Sequence, residues 1–249
     1  MRHDGGMSTG PSSSTAERRG IVVIEHEPDC PLDRMAEWLG DIAVDVIRPY
    51  AGDAVPAAVE GGLIVLGGQM SAYDDVVAPW LPAVRDLLAM AVSASVPTLG
   101  ICLGAQLLAV AGGGRVDVAA SAGRESGVVD ARWRAEALTD PLMAGLPDPY
   151  PGPSMHADAV TALSSGATWL AASEMYPYQA FRVGAAAWGV QFHPEVSLAT
   201  FHGWADLHPD VDTEAVIADY LRRDDDITHA GRTLTERFVT LCRSPVARW

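Results

Sequence analysis

The chain has 249 residues, 49% of them hydrophobic, and carries 32 acidic residues against 17 basic ones for a formal charge of −15, which fits one sizeable globular domain or a domain and a half. All 17 basic residues are Arg, which excludes a P-loop Lys, a Lys Schiff base and a Lys general base. An acidic chain with scattered Arg also lacks the electrostatic footprint of a nucleic-acid or anionic-lipid binder, so no nucleic acid and no membrane is expected, and small-molecule or protein partners are favoured.

Residues 1–20 are polar and rich in Gly, Ser and Thr. They lack the apolar segment of a signal peptide and are expected to form a disordered tail. The remainder, 21–249, is expected to be a single domain. Ile21 to Ile24 reads as a buried first strand ending at Glu25-His26-Glu27, and Leu32, Met35 and Leu39 mark one face of a helix. Ala43 to Ile47 is a second strand, stopped by Arg48-Pro49, and Leu63 to Leu66 is a third that runs into Gly67-Gly68. Trp80 to Val92 has a helical stripe, Val96 to Ile101 returns as a strand, and Ala105 to Ala111 is helical up to Gly112-Gly113-Gly114. This alternation is that of a parallel α/β sheet.

Shorter strand candidates follow at Gly127 to Trp133, His156 to Leu163, Trp169 to Ser173, Gln179 to Val183 and Ala186 to Phe192. They read as hairpins added to the main sheet. From about residue 212 the pattern is helical, with Glu214 to Leu221 and Leu234 to Cys242 separated by a polar stretch from Arg222 to Gly231. The Asp224-Asp225-Asp226 run lacks the ligand spacing of a calcium loop and reads as solvated surface. The longest apolar runs fall far short of the roughly 20 residues that cross a bilayer. Cys30, Cys102 and Cys242 are too scattered for a disulfide framework or zinc knuckle, so a reducing cytoplasm is the expected compartment.

The stretch Gly100-Ile101-Cys102-Leu103-Gly104 is a G-x-C-x-G between a strand and a helix. It is the cysteine counterpart of a nucleophile elbow, where small residues flank a turn too sharp for side chains. A helix N-terminus there offers free amides to a thiolate and to an oxyanion. A buried structural cysteine is the alternative. Gly67-Gly68, at the carboxyl end of the third strand, can face this elbow across a crevice and bring a backbone N–H to a reacting carbonyl, or can be an ordinary turn. His193, with Glu195 two residues on, supplies a base and the partner that fixes its tautomer.

These segments closely resemble the class I (triad) glutamine amidotransferase family, most of all its stand-alone, GMP-synthase-like branch. The resemblance runs from about Ile21 to Leu198 and rests on Gly100-Ile101-Cys102-Leu103-Gly104-x-Gln106, Gln191-Phe192-His193-Pro194-Glu195, Gly67-Gly68-x-Met70-Ser71-x-x-Asp74, His156-x-Asp158 and Tyr176-Pro177-x-Gln179-Ala180-Phe181-Arg182. It implies a flavodoxin-like, mostly parallel sheet with helices on both faces and a β-hairpin extension. It also implies that Cys102 attacks the glutamine carboxamide, that His193 is general base and acid oriented by Glu195, and that the Gly68 and Leu103 amides hold the oxyanion. Gln106 then holds the glutamine backbone, Gly67 belongs with it to the substrate site, and Glu125, Gly127 and Val128 fall in the substrate-recognition loop. Gln69 stands where the family usually has Pro, and Ala105 where it often has His.

The resemblance implies no cofactor and no metal. Ligation by His156, Asp158, His193 and Glu195 is conceivable, but a Cys102 nucleophile accounts better for His193. Neither a G-x-x-x-x-G-K loop nor a Ser-Gly-Gly-x-Asp-Ser loop occurs, so a separate ATP-dependent synthetase subunit is the expected ammonia acceptor. Two other functions remain open on sequence: a cysteine hydrolase of γ-glutamyl peptides or amides, and a non-catalytic binding module on the same fold.

Overall fold

The computed structural model describes residues 20–244; the expected tail lies outside them apart from Gly20. In chain order come β1 (Ile21–Ile24), α1 (Met35–Trp38), β2 (Val44–Ile47), β3 (Gly62–Val65), α2 (Leu81–Ser93), β4 (Thr98–Ile101) and α3 (Leu103–Ala111). The second half adds β5 (Arg115–Asp117), β6 (Glu125–Trp133), β7 (Tyr150–His156), β8 (Ala159–Ala162), β9 (Ala167–Ala172), β10 (Ala180–Val183), β11 (Ala187–Val190), α4 (Leu198–Asp206) and α5 (Thr213–Arg243).

A nine-stranded sheet has the order β2-β1-β3-β4-β11-β10-β9-β6-β7. From β2 to β11 neighbouring strands are parallel, and from β11 to β7 they are antiparallel. Strands of the parallel half are apolar on both faces because helices cover both. Ile21, Val23, Ile64, Leu66, Leu99 and Ile101 pack with Met35, Trp38, Leu234 and Phe238 of α1 and α5. On the other face Leu63, Val65 and Phe181 meet Val84, Leu87 and Leu88 of α2 and Leu107 and Leu108 of α3. This is the α/β fold the sequence led us to expect, with the antiparallel strands as its extension.

Several boundaries differ from expectation for identifiable reasons. The helix around Met35 is a single turn closed by Gly40 in a left-handed conformation (φ 68°). The two expected C-terminal helices are one 31-residue helix, capped by Asp212 Oδ1 accepting from the Ala215 N–H at 3.0 Å. Its middle is polar outside, yet Ile227 and Ala230 are buried and keep the apolar stripe continuous. β7 contains Pro151 and Pro153, which do not mark it as a strand in the sequence; at the sheet edge a residue without an N–H is tolerated. His156 ends β7, so the strand expected from His156 to Leu163 is in fact β8, paired with β5 in a separate two-stranded sheet.

Candidate active site

The loops after β3, β4 and β11 leave the carboxyl ends of adjacent parallel strands, held level by the pairings Val65↔Gly100 and Ile101↔Val190. They bring Gly67-Gly68, Cys102 and His193 together. Cys102 has φ 50° and ψ −105°, a strained conformation for a residue with a Cβ, and it stands immediately before α3. Its N–H donates to the Val190 C=O at 2.8 Å and its C=O accepts from the Gln106 N–H at 3.0 Å. The elbow needs its flanking glycines: a Cβ on Gly104 would lie 2.0 Å from the Val65 carbonyl oxygen, and one on Gly100 2.5 Å from that of Gly104.

His193 and Glu195 are both buried, with Nδ1 and Oε1 2.7 Å apart. The His193 N–H donates to the Pro153 C=O at 2.7 Å, and the Glu195 C=O accepts from the Arg34 N–H at 3.2 Å, so neighbouring segments fix both residues. Burial alone would lower the His193 pKa, but the Glu195 carboxylate and the Cys102 sulfur outweigh it and push the value up to about 10. The surroundings of the ring therefore favour its doubly protonated form. A Cβ on Gly67 would lie 2.8 Å from His193 Cε1 and 3.6 Å from Cys102 Cβ, so the loop passes too close to the pair for any larger residue.

Gly68 and Leu103 adjoin: a Cβ on Gly68 would approach Leu103 Cδ2 to 2.9 Å. Neither of their backbone N–H groups donates to another described residue. The arrangement therefore presents a thiol, a proton carrier and a pair of uncommitted amide donors around one space.

That space is a cavity of about 280 Å³ lined by Gly68, Cys102, Gln106 and His193 together with residues the sequence did not reveal. Among the unanticipated residues are Cys30, Arg124, Met155, Trp204 and His208. Trp204 packs on His193 with ring centroids 4.5 Å apart; it lies on α4, which Ser197 caps. Gln191 Nε2 donates to Cys102 Sγ at 3.5 Å, and Gln106 Nε2 donates to the Asp158 C=O at 3.0 Å.

The residues expected in the substrate loop are not among those lining the cavity. Glu125 is buried behind the cavity wall: its carboxylate accepts from His156 Nε2 at 3.0 Å, from Ser173 Oγ and from Gln179 Nε2. Gly127 faces Val216 of α5, and the Val128 C=O accepts from Arg223 at 3.1 Å, so strand pairing and helix packing keep both off the cavity. His26 is wholly buried, accepts at Nδ1 from Trp80 Nε1 at 3.0 Å, and burial lowers its pKa to about 4. Among the described residues no group of three or more His, Cys, Asp and Glu side chains is placed to hold a metal, and no helix is long and apolar enough to cross a membrane.

A cysteine at a strand–helix elbow of an α/β sheet, with a buried His–Glu pair beside it, is an arrangement found in a class of acyl-transfer enzymes. Within that class the family model of glutamine amidotransferase class-I matches residues 41–203, and the chain belongs to that family. It is 35% identical over 153 residues to the glutamine-hydrolyzing GMP synthase of Porphyromonas gingivalis, covering 60% of this chain and 28% of that one. To the enzyme of the same name from Mycobacterium tuberculosis it is 39% identical over 142 residues, 57% of this chain and 24% of the relative. The match thus spans about a quarter of these relatives' length. Among solved structures, a glutamine amidotransferase from Thermotoga maritima superposes with a TM-score of 0.78 at 26% identity, covering 89% of this chain and 98% of the other. One from Methylobacillus flagellatus gives 0.77 at 25%, covering 90% and 95%.

Proposed function

We propose that the chain hydrolyses the side-chain amide of L-glutamine through a γ-glutamyl thioester on Cys102. The thiolate attacks the amide carbon, and the Gly68 and Leu103 N–H groups receive the oxyanion. His193, oriented by Glu195, protonates the departing nitrogen, so ammonia leaves as the C–N bond breaks. The same ring then takes a proton from water, which attacks the thioester; glutamate leaves and the thiol is restored. The substrate's head group points toward Gln106, with Asp158 and Arg124 supplying opposite charges for its ammonium and carboxylate. The single observation that carries this reading is the convergence of Cys102, His193 and two uncommitted amides at the ends of adjacent strands.

Released ammonia goes to a separate synthetase that activates its acceptor with ATP; the longer relatives, called glutamine-hydrolyzing synthases, support this division. Glutaminase assays on the purified chain, with and without candidate synthetases, test the reading. Glutamate release that disappears in Cys102→Ala is the expected result. Turnover of γ-glutamyl dipeptides in preference to glutamine would instead make the protein a γ-glutamyl hydrolase, and release that persists in Cys102→Ala would remove the nucleophile from the account.

A further inference from the structure

The loop carrying the Gly68 amide has little of its own to hold it. Gly67 and Gly68 bring no side chains, and glycine is the residue freest to leave a required backbone conformation. The regular ladder between β1 and β3 ends where the Leu66 N–H donates to the Ile24 C=O at 3.0 Å. One further link continues it: the Gln69 N–H donates to Glu27 Oε1 at 2.8 Å. The same oxygen accepts from the Cys30 thiol at 3.3 Å, and Cys30 lines the cavity. Burial and the Glu27 carboxylate both push the Cys30 thiol up, so it stays protonated and serves as a donor. A single carboxylate oxygen therefore ties the loop after β3 to the segment after β1, one residue beyond Gly68.

We propose that Glu27 is a positioning residue for the oxyanion site: by holding the Gln69 amide it keeps the Gly68 N–H aimed at the reacting carbonyl. This inference rests on the glutaminase reading and concerns aim alone, since Glu27 touches neither substrate nor Cys102. A hydrogen bond to a charged acceptor is well suited to the task, being shorter and stronger than a neutral one. The φ of Gln69 lies outside the left-handed region, so a proline there would remove the donor and stiffen the loop instead.

Removing an oxyanion donor outright costs about 100- to 1000-fold in kcat, and mis-aiming one costs less. Glu27→Ala is expected to lower kcat on L-glutamine by about 10- to 100-fold, with KM within about twofold and with unchanged alkylation of Cys102 by iodoacetamide. Glu27→Gln, which keeps an acceptor oxygen, recovers most of the loss. In a Gln69→Pro background Glu27→Ala has a much smaller effect, because its route through the Gln69 amide is gone and only the contact with Cys30 remains. Wild-type kcat in Glu27→Ala, or an equal loss in the Gln69→Pro background, overturns the proposal. Amide hydrogen exchange at Gln69 reads the tether without any substrate: protection in the wild type and in Glu27→Gln, and at least about tenfold faster exchange in Glu27→Ala, are expected. Equal exchange in all three overturns the tether. A wild-type protein that leaves glutamine untouched while the exchange pattern holds overturns the glutaminase reading and the oxyanion role, and leaves the tether standing.

Discussion

His193 meets Glu195 at 2.7 Å through Nδ1, and His156 meets Glu125 at 3.0 Å through Nε2. Both pairs are buried, and both histidines line the same cavity. They differ in what else surrounds them. His156 Nδ1 lies 2.9 Å from the Asp158 C=O, and the Glu125 carboxylate is engaged by His156, Ser173 and Gln179 together. By contrast Glu195 Oε2 has no partner among the described residues, and the far side of the His193 ring faces Gly67 and Cys102. A carboxylate held by three donors fixes shape, even though Gln179 Oε1 has no partner among the described residues; a carboxylate–imidazole pair left open on one side can exchange a proton. The two pairs differ in their partners although their burial is alike: one is enclosed, and the other, which we propose to be reactive, is open on the side of Cys102.

Glu195→Gln should break the reactive pair with the largest effect. It keeps the volume but removes the charge that orients and charges His193, and kcat is expected to fall about 100- to 10,000-fold with the fold intact, as measured by steady-state glutaminase assays and thermal unfolding. Glu125→Ala should show the opposite balance. Leaving His156, Ser173 and Gln179 without their buried acceptor is expected to cost about 3 kcal/mol of stability in urea unfolding, while kcat of the folded protein stays within about tenfold of wild type. An Arg124→Gln variant is expected to raise KM for glutamine about tenfold with little change in kcat, because a rim contact made equally in ground and transition states alters binding alone.

A further effect is in the pH dependence of stability. His193 is raised from 6.5 to about 10, so the folded chain keeps a proton that the unfolded chain releases across that window. Its stabilising contribution is complete below 6.5 and is lost as pH rises through about 10. His26 is lowered from 6.5 to about 4, so its contribution is complete above 6.5 and is lost as pH falls toward 4. Urea midpoints across this range should decline at both ends in the wild type. In Glu195→Gln the alkaline decline should shrink while the acid one remains.

The same contrast explains what the sequence could reveal. Gly100-Ile101-Cys102-Leu103-Gly104 and His193-Pro194-Glu195 are contiguous because an elbow and a strand end are local structures, so their chemistry is legible along the chain. Glu125 and His156 lie 31 residues apart and meet only because β6 and β7 pair them in register. Nothing local announces that meeting, and Pro151 and Pro153 disguise one of the strands involved. Glu125 therefore reads as part of a substrate loop, when its place is behind the cavity wall. Trp204 and Arg124 are hidden for a related reason: one rides on a helix seen only once its fold is known, and the other reaches the cavity from a turn. The interior of α5 reads as a break because its packed side includes the polar Arg223 and Asp224, paired with Asp130 and Arg34, while Ile227 keeps the buried stripe unbroken.

We propose that one sulfur, that of Cys102, carries the glutamyl group. Acid quench of the protein during turnover of L-glutamine, followed by peptide mass analysis, tests it directly. A Cys102 peptide heavier by one glutamyl group, released by hydroxylamine, is expected; turnover of glutamine with Cys102 unmodified throughout, and undiminished in Cys102→Ala, would rule out the thioester.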